Sequence, residues 1–179
     1  MNKILIVVDM QNDFIDGALG NPDTLAVVKA AADKIRVRRQ EGYRIYVTMD
    51  THDEHYMDTQ EGKKLPVPHC IKGTDGWQLN QVIAEALGEP EDIFEKNTFA
   101  SLKLVQALEQ LNREDTITSI ELVGVCTGIC VLSNAVLLKA HFTEVPILVD
   151  ASCCACVTRE SHRTALDAMK LCQIEVAES

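Results

Sequence analysis

Short apolar runs recur along the chain and alternate with longer amphipathic stretches. The strongest runs are continuous and rich in β-branched residues, and they lie at 4–8, 43–48, 119–125 and 145–149. Strands that are apolar on both sides are typical of a parallel sheet covered on both faces. With weaker runs at 92–95 and 174–176, the pattern predicts an open parallel sheet of about six strands.

Helical patterns separate these strands. Apolar residues recur at helical spacing over 22–40, 77–87, 102–111, 130–142 and 158–171. Asn21 and Thr158 are the expected N-caps of the first and last helices, and Gly42 ends the first one. We expect Trp77 to lie in the second helix and to contribute to the core. The alternation predicts an α/β fold with helices on both faces of the sheet, and 179 residues suit a single domain over 1–179.

Composition and charge narrow the class of partner. A hydrophobic content of 46% and a charged content of 25% are ordinary for a globular protein. The net charge of −10 argues against nucleic acid, because 17 basic residues are scattered among 27 acidic ones and phosphate binding needs a basic surface. No stretch approaches the roughly 20 apolar residues of a membrane span, and we find no signal peptide. We expect a cytoplasmic homo-oligomer that acts on a small molecule and binds neither nucleic acid nor membrane.

The chain has seven cysteines, at positions 70, 126, 130, 153, 154, 156 and 172. An odd number cannot pair completely within one chain, and a chain without an export signal is expected to keep its thiols reduced. The cysteines are therefore candidates for catalysis or metal binding before disulfides. Cys153, Cys154 and Cys156 lie close together but lack a second cysteine pair at zinc-site spacing, so we interpret them as small packing residues.

Ionisable residues lie where the predicted strands end. Parallel strands share one carboxyl edge, and ligands of open α/β sheets bind at that edge. The residues at these ends are Asp9, Asp50, Lys96, the turn at 124–130 and Asp150. We expect these groups to converge on one site.

Cys130 is the candidate nucleophile, because it opens a predicted helix after a strand and a glycine-containing turn. The amide groups and dipole of a helix N-terminus stabilise a thiolate, and Lys96 would lower the pKa of the thiol further. Asp9 could accept the thiol proton and later pass it to a leaving amine. The backbone N–H groups of Cys126 and Cys130 would face the developing oxyanion. Taken singly, each residue also has a structural interpretation, as a buried thiol, a cap or a surface ammonium.

A second group of residues suggests a metal site. Asp50 and His52 lie two apart and point to the same side of an extended chain, and His69 returns from the following loop. One carboxylate and two imidazoles suit Zn²⁺ with open positions for water or substrate, with Fe²⁺ and Mn²⁺ as alternatives. Glu61 is a further candidate ligand, directly or through water, whereas His55 is expected at the surface. A histidine-rich surface loop is the alternative interpretation.

Five sequence blocks share their order and spacing with a known family. They are VVDMQNDF at 7–14, TMDTH at 48–52, PHC at 68–70, FEKNTF at 94–99 and GVCTGICV at 124–131. Together these blocks resemble the isochorismatase-like cysteine hydrolases, and within them the nicotinamidases. The resemblance spans nearly the whole chain and implies the isochorismatase-like hydrolase fold.

The resemblance also implies catalytic roles. Asp9, Lys96 and Cys130 match the catalytic triad of the family. The family has a cis peptide in the turn before its cysteine, which is implied here between Val125 and Cys126. Val125 is also a candidate for contact with the substrate.

The metal site and the substrate pocket have counterparts in the family as well. Asp50, His52 and His69 match the ligands of the divalent metal that binds the pyridine nitrogen in nicotinamidases. Phe14 matches a position that flanks the substrate ring. The chain departs from many nicotinamidases at Thr51, where they have a tryptophan.

The implied activity is that of a metal-dependent nicotinamidase. Such an enzyme hydrolyses nicotinamide to nicotinate and ammonia through a cysteine thioester, with one divalent metal, here expected to be zinc, that orients the substrate. Two alternatives remain open. The first is a related cysteine amidohydrolase that acts on another small amide, carbamoyl or ureido compound. The second is a thiol-rich metal-binding or redox protein without hydrolytic activity.

Overall fold

The structure is a computed structural model that describes residues 1–178 of the chain. Six strands form one parallel sheet in this part of the chain: β1 Asn2–Val8, β2 Arg44–Asp50, β3 Asp92–Lys96, β4 Ile117–Val125, β5 Ile147–Ala155 and β6 Glu175–Ala177. Their order across the sheet is β3-β2-β1-β4-β5-β6. The predicted open sheet of parallel strands is confirmed.

Helices alternate with the strands. They are α1 Asn12–Ile15, α2 Pro22–Ala26, α3 Val28–Gln40, α4 Gln60–Lys64, α5 Gln81–Leu87, α6 Leu102–Glu114, α7 Leu132–His141 and α8 Arg159–Leu171. A 3₁₀ turn, Tyr56–Asp58, precedes α4, and a π-helical turn, Thr127–Val131, leads into α7. Cys130 therefore lies inside this turn and not in the first turn of an α-helix. Among residues 1–178, no helix is long and apolar enough to cross a membrane.

Helices cover both faces of the sheet, as predicted. Neighbouring residues of β1 point to opposite faces, so Leu5 packs in one apolar layer and Ile6 in the other. The first layer is completed by α3 and α5, with Ile35 fully buried, and the second by α6, α7 and α8, with Leu108 and Leu138 fully buried. Burying a side chain of this size contributes about 1.5–3 kcal/mol, so these two layers stabilise the sheet that carries the site.

The predicted N-caps are present at two helices. The Asn21 side chain accepts hydrogen bonds from the backbone N–H groups of Asp23 and Thr24, and the Thr24 hydroxyl accepts from the Asn21 N–H. Thr158 and Ser161 form the same reciprocal pair at the start of α8. Each cap satisfies N–H groups that lack partners within the helix.

The predicted helix at 22–40 is two helices. α2 ends at Ala26 and α3 begins at Val28, because Val27 between them has a ψ of −9°, far from the usual helical value. The predicted stop of α3 at a glycine is confirmed, since Gly42 follows the helix with a φ of 78°.

The predicted helix at 77–87 begins only at Gln81, where Asn80 caps it. The preceding backbone has another partner, since the carbonyl oxygen of Gln78 accepts a hydrogen bond from the Asn12 N–H at 2.9 Å. Trp77 therefore lies before α5, and the prediction that it belongs to this helix is wrong. Its side chain is half-buried and packs against the layer formed by α3 and α5.

Strand β5 continues well beyond its predicted end, and Asp150 lies inside it, fully buried. The Lys34 ammonium lies 2.6 Å from this carboxylate, and Ser152 donates to it through both its hydroxyl and its N–H. Burial raises the pKa of Asp150, but these contacts outweigh burial and leave the pKa below its usual value. Asp150 thus fixes α3 to the sheet, and the prediction that it joins the other strand ends is wrong.

Gly124 should tolerate no side chain, because its φ is 123° and a Cβ would fall on the carbonyl oxygen of Val8 in the neighbouring strand. We predict that Gly124→Ala lowers the free energy of unfolding by about 3 kcal/mol through strain and overpacking, as measured by urea titration.

Gly42→Ala is the matched control. Gly42 also has a positive φ, 78°, but a Cβ there meets nothing within 4 Å, so only about 1 kcal/mol of backbone strain is expected. Equal losses in the two variants would contradict this account of β4.

Candidate active site

The site lies where the strand order reverses. From β1 the chain proceeds outward through β2 to β3, and it then returns to place β4 on the other side of β1. In open parallel sheets this reversal leaves a crevice at the carboxyl ends of the two central strands. Asp9 follows β1, and the turn that contains Cys130 follows β4. Both residues therefore border the crevice.

Asp9, Lys96 and Cys130 meet in this crevice. The Lys96 Nζ lies 2.6 Å from Asp9 Oδ2 and 3.5 Å from Cys130 Sγ. Lys96 arrives from the end of β3, across the end of β2, and its Nζ is also 3.7 Å from Asp50 Oδ1. All four residues are buried. The predicted convergence of acid, amine and thiol is therefore present in the structure.

Burial and mutual attraction shift the pKa of each group. Burial raises the pKa of Asp9, and the attraction of Lys96 opposes it only in part. Burial, with the nearby Asp9 charge, also raises the pKa of the Cys130 thiol well above its usual value, against the opposing effect of Lys96. For Lys96 itself burial disfavours the charge, but attraction to Asp9, Cys130 and Asp50 outweighs burial and raises its pKa. The prediction that the surroundings lower the pKa of the Cys130 thiol is therefore wrong, because burial and Asp9 outweigh the effect of Lys96.

Local backbone geometry aims the Asp9 side chain. Asp9 has a φ of 50°, in the left-handed region, which few residues other than glycine, asparagine and aspartate adopt readily. Its N–H donates to the Thr48 carbonyl at 3.1 Å, and the Thr48 hydroxyl donates to Asp9 Oδ1 at 2.7 Å. One carboxylate oxygen is thus held by Thr48 and the other by Lys96.

Hydrogen bonds to the carbonyl groups of Cys126 and Cys130 stabilise the turn after β4. The peptide between Val125 and Cys126 is cis, as the resemblance implied. The Cys126 carbonyl accepts hydrogen bonds from the N–H groups of Ile129 and Val131 at 3.0 and 3.1 Å. The Asn134 side chain, which our sequence analysis missed, donates to the Cys130 carbonyl at 2.8 Å. These contacts fix the backbone on which the proposed oxyanion N–H groups of Cys126 and Cys130 lie.

Asp50, His52 and His69 form a compact cluster beside the triad. Asp50 Oδ2 lies 3.1 Å from His52 Nε2 and 3.3 Å from His69 Nε2. Potential ligand atoms of the three residues all lie within 4.8 Å of one another. Glu61 Oε1 is 3.9 Å from His69 Nε2, so Glu61 borders the cluster. His55 is exposed and pairs only with acidic side chains of its own turn among the described residues.

The chemistry of this cluster fits a divalent metal. His69 Nδ1 lies 2.8 Å from the Val67 carbonyl, which can only accept, so Nδ1 carries the proton and Nε2 is left as the ligand atom. Burial raises the pKa of Asp50, but the contacts of its carboxylate with His52 and His69 and the attraction of Lys96 outweigh burial and hold the pKa below its usual value. One carboxylate and two imidazole nitrogens are a common zinc donor set.

Gln11 was missed by our sequence analysis, although it lies in the block VVDMQNDF. Its side chain is fully buried and accepts from the Asp50 N–H at 2.7 Å while donating to the Asp50 and Trp77 carbonyls at 2.8 and 2.9 Å. The Trp77 indole in turn donates to the Thr51 hydroxyl at 2.9 Å. The buried Gln11 amide thus fixes the backbone of Asp50 and brings Trp77 next to Thr51. Thr51 is the position at which many nicotinamidases have a tryptophan.

The two predicted substrate contacts differ in exposure. Phe14 is half-buried, and its ring centroid lies 5.5 Å from that of His69. It therefore lies beside the cluster of Asp50, His52 and His69. The ring of Tyr56, also missed, packs edge-on against both His52 and His69 at 4.7 and 4.9 Å. Val125 has no exposed surface, and its part in substrate binding stays a prediction.

Comparisons of sequence identify the family of this chain. A family model described as the isochorismatase domain matches residues 3–179. A relative from Bacillus subtilis strain 168, PncA, is described as an uncharacterized isochorismatase family protein. It is 33% identical over 174 residues, which make up 93% of this chain and 93% of that protein.

Solved structures are similar over nearly the whole chain. The pyrazinamidase/nicotinamidase of Streptococcus mutans UA159 has a TM-score of 0.85 and 28% identity, and the match covers 98% of this chain and 100% of that one. The pyrazinamidase of Pyrococcus horikoshii, solved in complex with zinc, has a TM-score of 0.81 and 25% identity, with 100% of both chains covered. The predicted isochorismatase-like fold is confirmed.

We predict that the purified chain binds one zinc ion and that His69→Ala weakens this binding at least about 100-fold, because a buried ligand is lost from a set of three. Zinc retained after dialysis, measured by elemental analysis, is the readout. His55→Ala is the control, since this exposed histidine lies outside the cluster. Equal zinc content in both variants would exclude the cluster as the metal site.

Proposed function

The chain belongs to the isochorismatase family and is an amidohydrolase that acts on a carboxamide, and from this premise we propose that it is a metal-dependent nicotinamidase. The proposed reaction converts nicotinamide and water to nicotinate and ammonia. One observation carries the proposal. A buried ammonium, Lys96, contacts both a carboxylate, Asp9, and a thiol, Cys130.

The contact with Lys96 makes proton transfer inside the site feasible. Asp9 is a stronger base than an ordinary carboxylate, because burial raises its pKa. When the thiol proton of Cys130 moves to Asp9, the negative charge passes from the carboxylate to the sulfur, and both atoms are neighbours of the same ammonium. The total charge of the three groups does not change, so the buried site holds no uncompensated charge at either stage.

The Cys130 thiolate attacks the amide carbon of the substrate, and the negative charge moves to the carbonyl oxygen. The N–H groups of Cys126 and Cys130 stabilise that oxyanion. Asp9 then gives its proton to the amide nitrogen, ammonia departs, and an acyl thioester remains on the sulfur.

Hydrolysis of the thioester uses the same groups in the reverse sense. Asp9 takes a proton from water as the water oxygen attacks the thioester carbon. The carbon–sulfur bond breaks, the acid is released and the proton returns to the Cys130 sulfur. Lys96 holds both charge partners in position throughout.

The cluster beside the triad explains why a pyridine ring suits this site. Asp50, His52 and His69 would hold a zinc ion, which supplies a Lewis-acid contact for the ring nitrogen and so orients the carboxamide. Phe14 lies next to the His69 ring and offers a flat apolar surface to a planar substrate. Support for zinc comes from this donor set and from the Pyrococcus horikoshii relative in complex with that metal.

We predict that Cys130→Ala lowers kcat for nicotinamide at least about 10⁴-fold, because removal of a nucleophile abolishes the covalent route. Nicotinamide binding should remain, since the metal cluster and Phe14 are untouched. Ammonia release and calorimetric binding are the measurements. Cys172→Ala, at an exposed cysteine, should leave both unchanged, and turnover by Cys130→Ala would contradict the mechanism.

We predict that wild-type activity on nicotinamide and pyrazinamide falls when a chelator removes the metal and returns when zinc is added. A panel that also contains carbamoyl and ureido compounds tests the substrate. Faster turnover of one of those compounds by metal-free protein would favour the alternative amidohydrolase over a nicotinamidase.

A further inference from the structure

Cys126 directly follows β4, and Cys156 directly follows the neighbouring strand β5. The register of β4 and β5 pairs Val125 with Ala155, so the next residue of each strand falls at the same level of the sheet edge. Residues opposite each other on adjacent parallel strands lie about 4.8 Å apart, which is within the range of Cα separations that a disulfide spans. The register therefore places Cys126 and Cys156 at a distance that a disulfide can bridge.

The two sulfurs are chemically different. Cys156 Sγ accepts a hydrogen bond from the Gly128 N–H at 3.4 Å. The neighbouring Cys126 thiol and this N–H lower the pKa of Cys156 well below its usual value despite burial. The neighbouring Cys156 sulfur, together with burial, raises the pKa of Cys126. The lowered pKa favours the thiolate form of Cys156, and the thiolate is the form that attacks a disulfide.

A surface groove leads to Cys156. Cys156 is only 3% exposed, but it borders a surface groove of about 520 Å³ formed by α8 and the turn after β4. The groove wall includes Ile129, Leu132 and Val157, and Val157 is 65% exposed. The thiol of Cys153 differs from that of Cys156, because burial raises the pKa of Cys153 to about 11. Our interpretation of these cysteines as packing residues thus suits Cys153 and does not suit Cys156.

We propose that Cys126 and Cys156 form a reversible disulfide by exchange with a low-molecular-weight disulfide, and that this cross-link slows amide hydrolysis. The Cys156 thiolate attacks one sulfur of the oxidant, whose other half leaves as a thiolate and takes the proton of Cys126. The Cys126 thiolate then attacks the Cys156 sulfur, and the second half of the oxidant leaves as a thiolate that takes a proton from water. Two protein sulfurs are oxidised to one disulfide, and one small disulfide is reduced to two thiols.

The cross-link would act on the turn that carries Cys130. The Cys126 carbonyl accepts from the N–H groups of Ile129 and Val131, so the turn is built on Cys126. A covalent bond to Cys156 draws Cys126 toward the segment between β5 and α8. A displacement of about 1 Å in a catalytic backbone can cost roughly 100-fold in rate. This effect on rate rests on the proposed amidase function, whereas formation of the cross-link does not.

The cross-link is best mapped in Cys130→Ala, because peptide 114–139 then contains Cys126 as its only cysteine. This variant is treated with oxidised glutathione, alkylated, digested with trypsin without reduction and analysed by mass spectrometry. We expect peptides 114–139 and 140–159 joined by one disulfide. The joined species should disappear when Cys156→Ser is added and persist when Cys153→Ser is added. No joined species, or one that depends on Cys153, would overturn the pairing, and this result does not depend on any activity of the chain.

The effect on rate is measured in the chain with Cys130 intact. After the same treatment, ammonia release should fall about tenfold or more in wild-type and in Cys153→Ser, and dithiothreitol should restore it. Cys156→Ser should start from the same basal rate and keep it. If Cys156→Ser loses as much activity as wild-type, modification of Cys130 is the cause and the proposed effect on catalysis is overturned. Full activity in wild-type that carries the mapped cross-link would overturn it as well.

Discussion

The buried charge of Lys96 is the constraint on which the site depends. Its side chain is 2% exposed, and an isolated ammonium at that depth would be strongly disfavoured. The charge is stable because the ammonium lies against Asp9, Cys130 and Asp50. Lys96 in turn lowers the pKa of Asp9 against the effect of burial. These side chains are therefore one electrostatic unit, and Asp50 connects that unit to His52 and His69.

Much of this arrangement could be predicted from the sequence, because it follows from strand ends. Parallel strands deliver their last residues to one edge, so Asp9, Lys96 and the turn with Cys130 had to lie near one another once the apolar runs were identified. The pair Asp50 and His52 was predictable for a similar local reason, since alternate residues of an extended chain share a side.

Other features depend on contacts between distant segments, and the local pattern carried no signal for them. Asp150 looked like a strand end, but Lys34 of a separate helix satisfies its charge inside β5. Trp77 looked helical, but the backbone beside it bonds to the start of α1. Gln11 was unremarkable as a polar residue after a strand, and only the folded chain brings it against the backbone of Asp50. The spacing of apolar residues along the chain gives no information about contacts between distant segments.

The left-handed backbone of Asp9 limits how this scaffold could have diversified. A φ of 50° is accessible to aspartate and asparagine and is costly for β-branched side chains. The position is thus restricted by conformation before any requirement of reactivity applies. In a descendant of this chain that no longer needed a base, asparagine or glycine would be the substitutions that fit this backbone. An inactive descendant could therefore keep the shape of the crevice after it had lost the reaction.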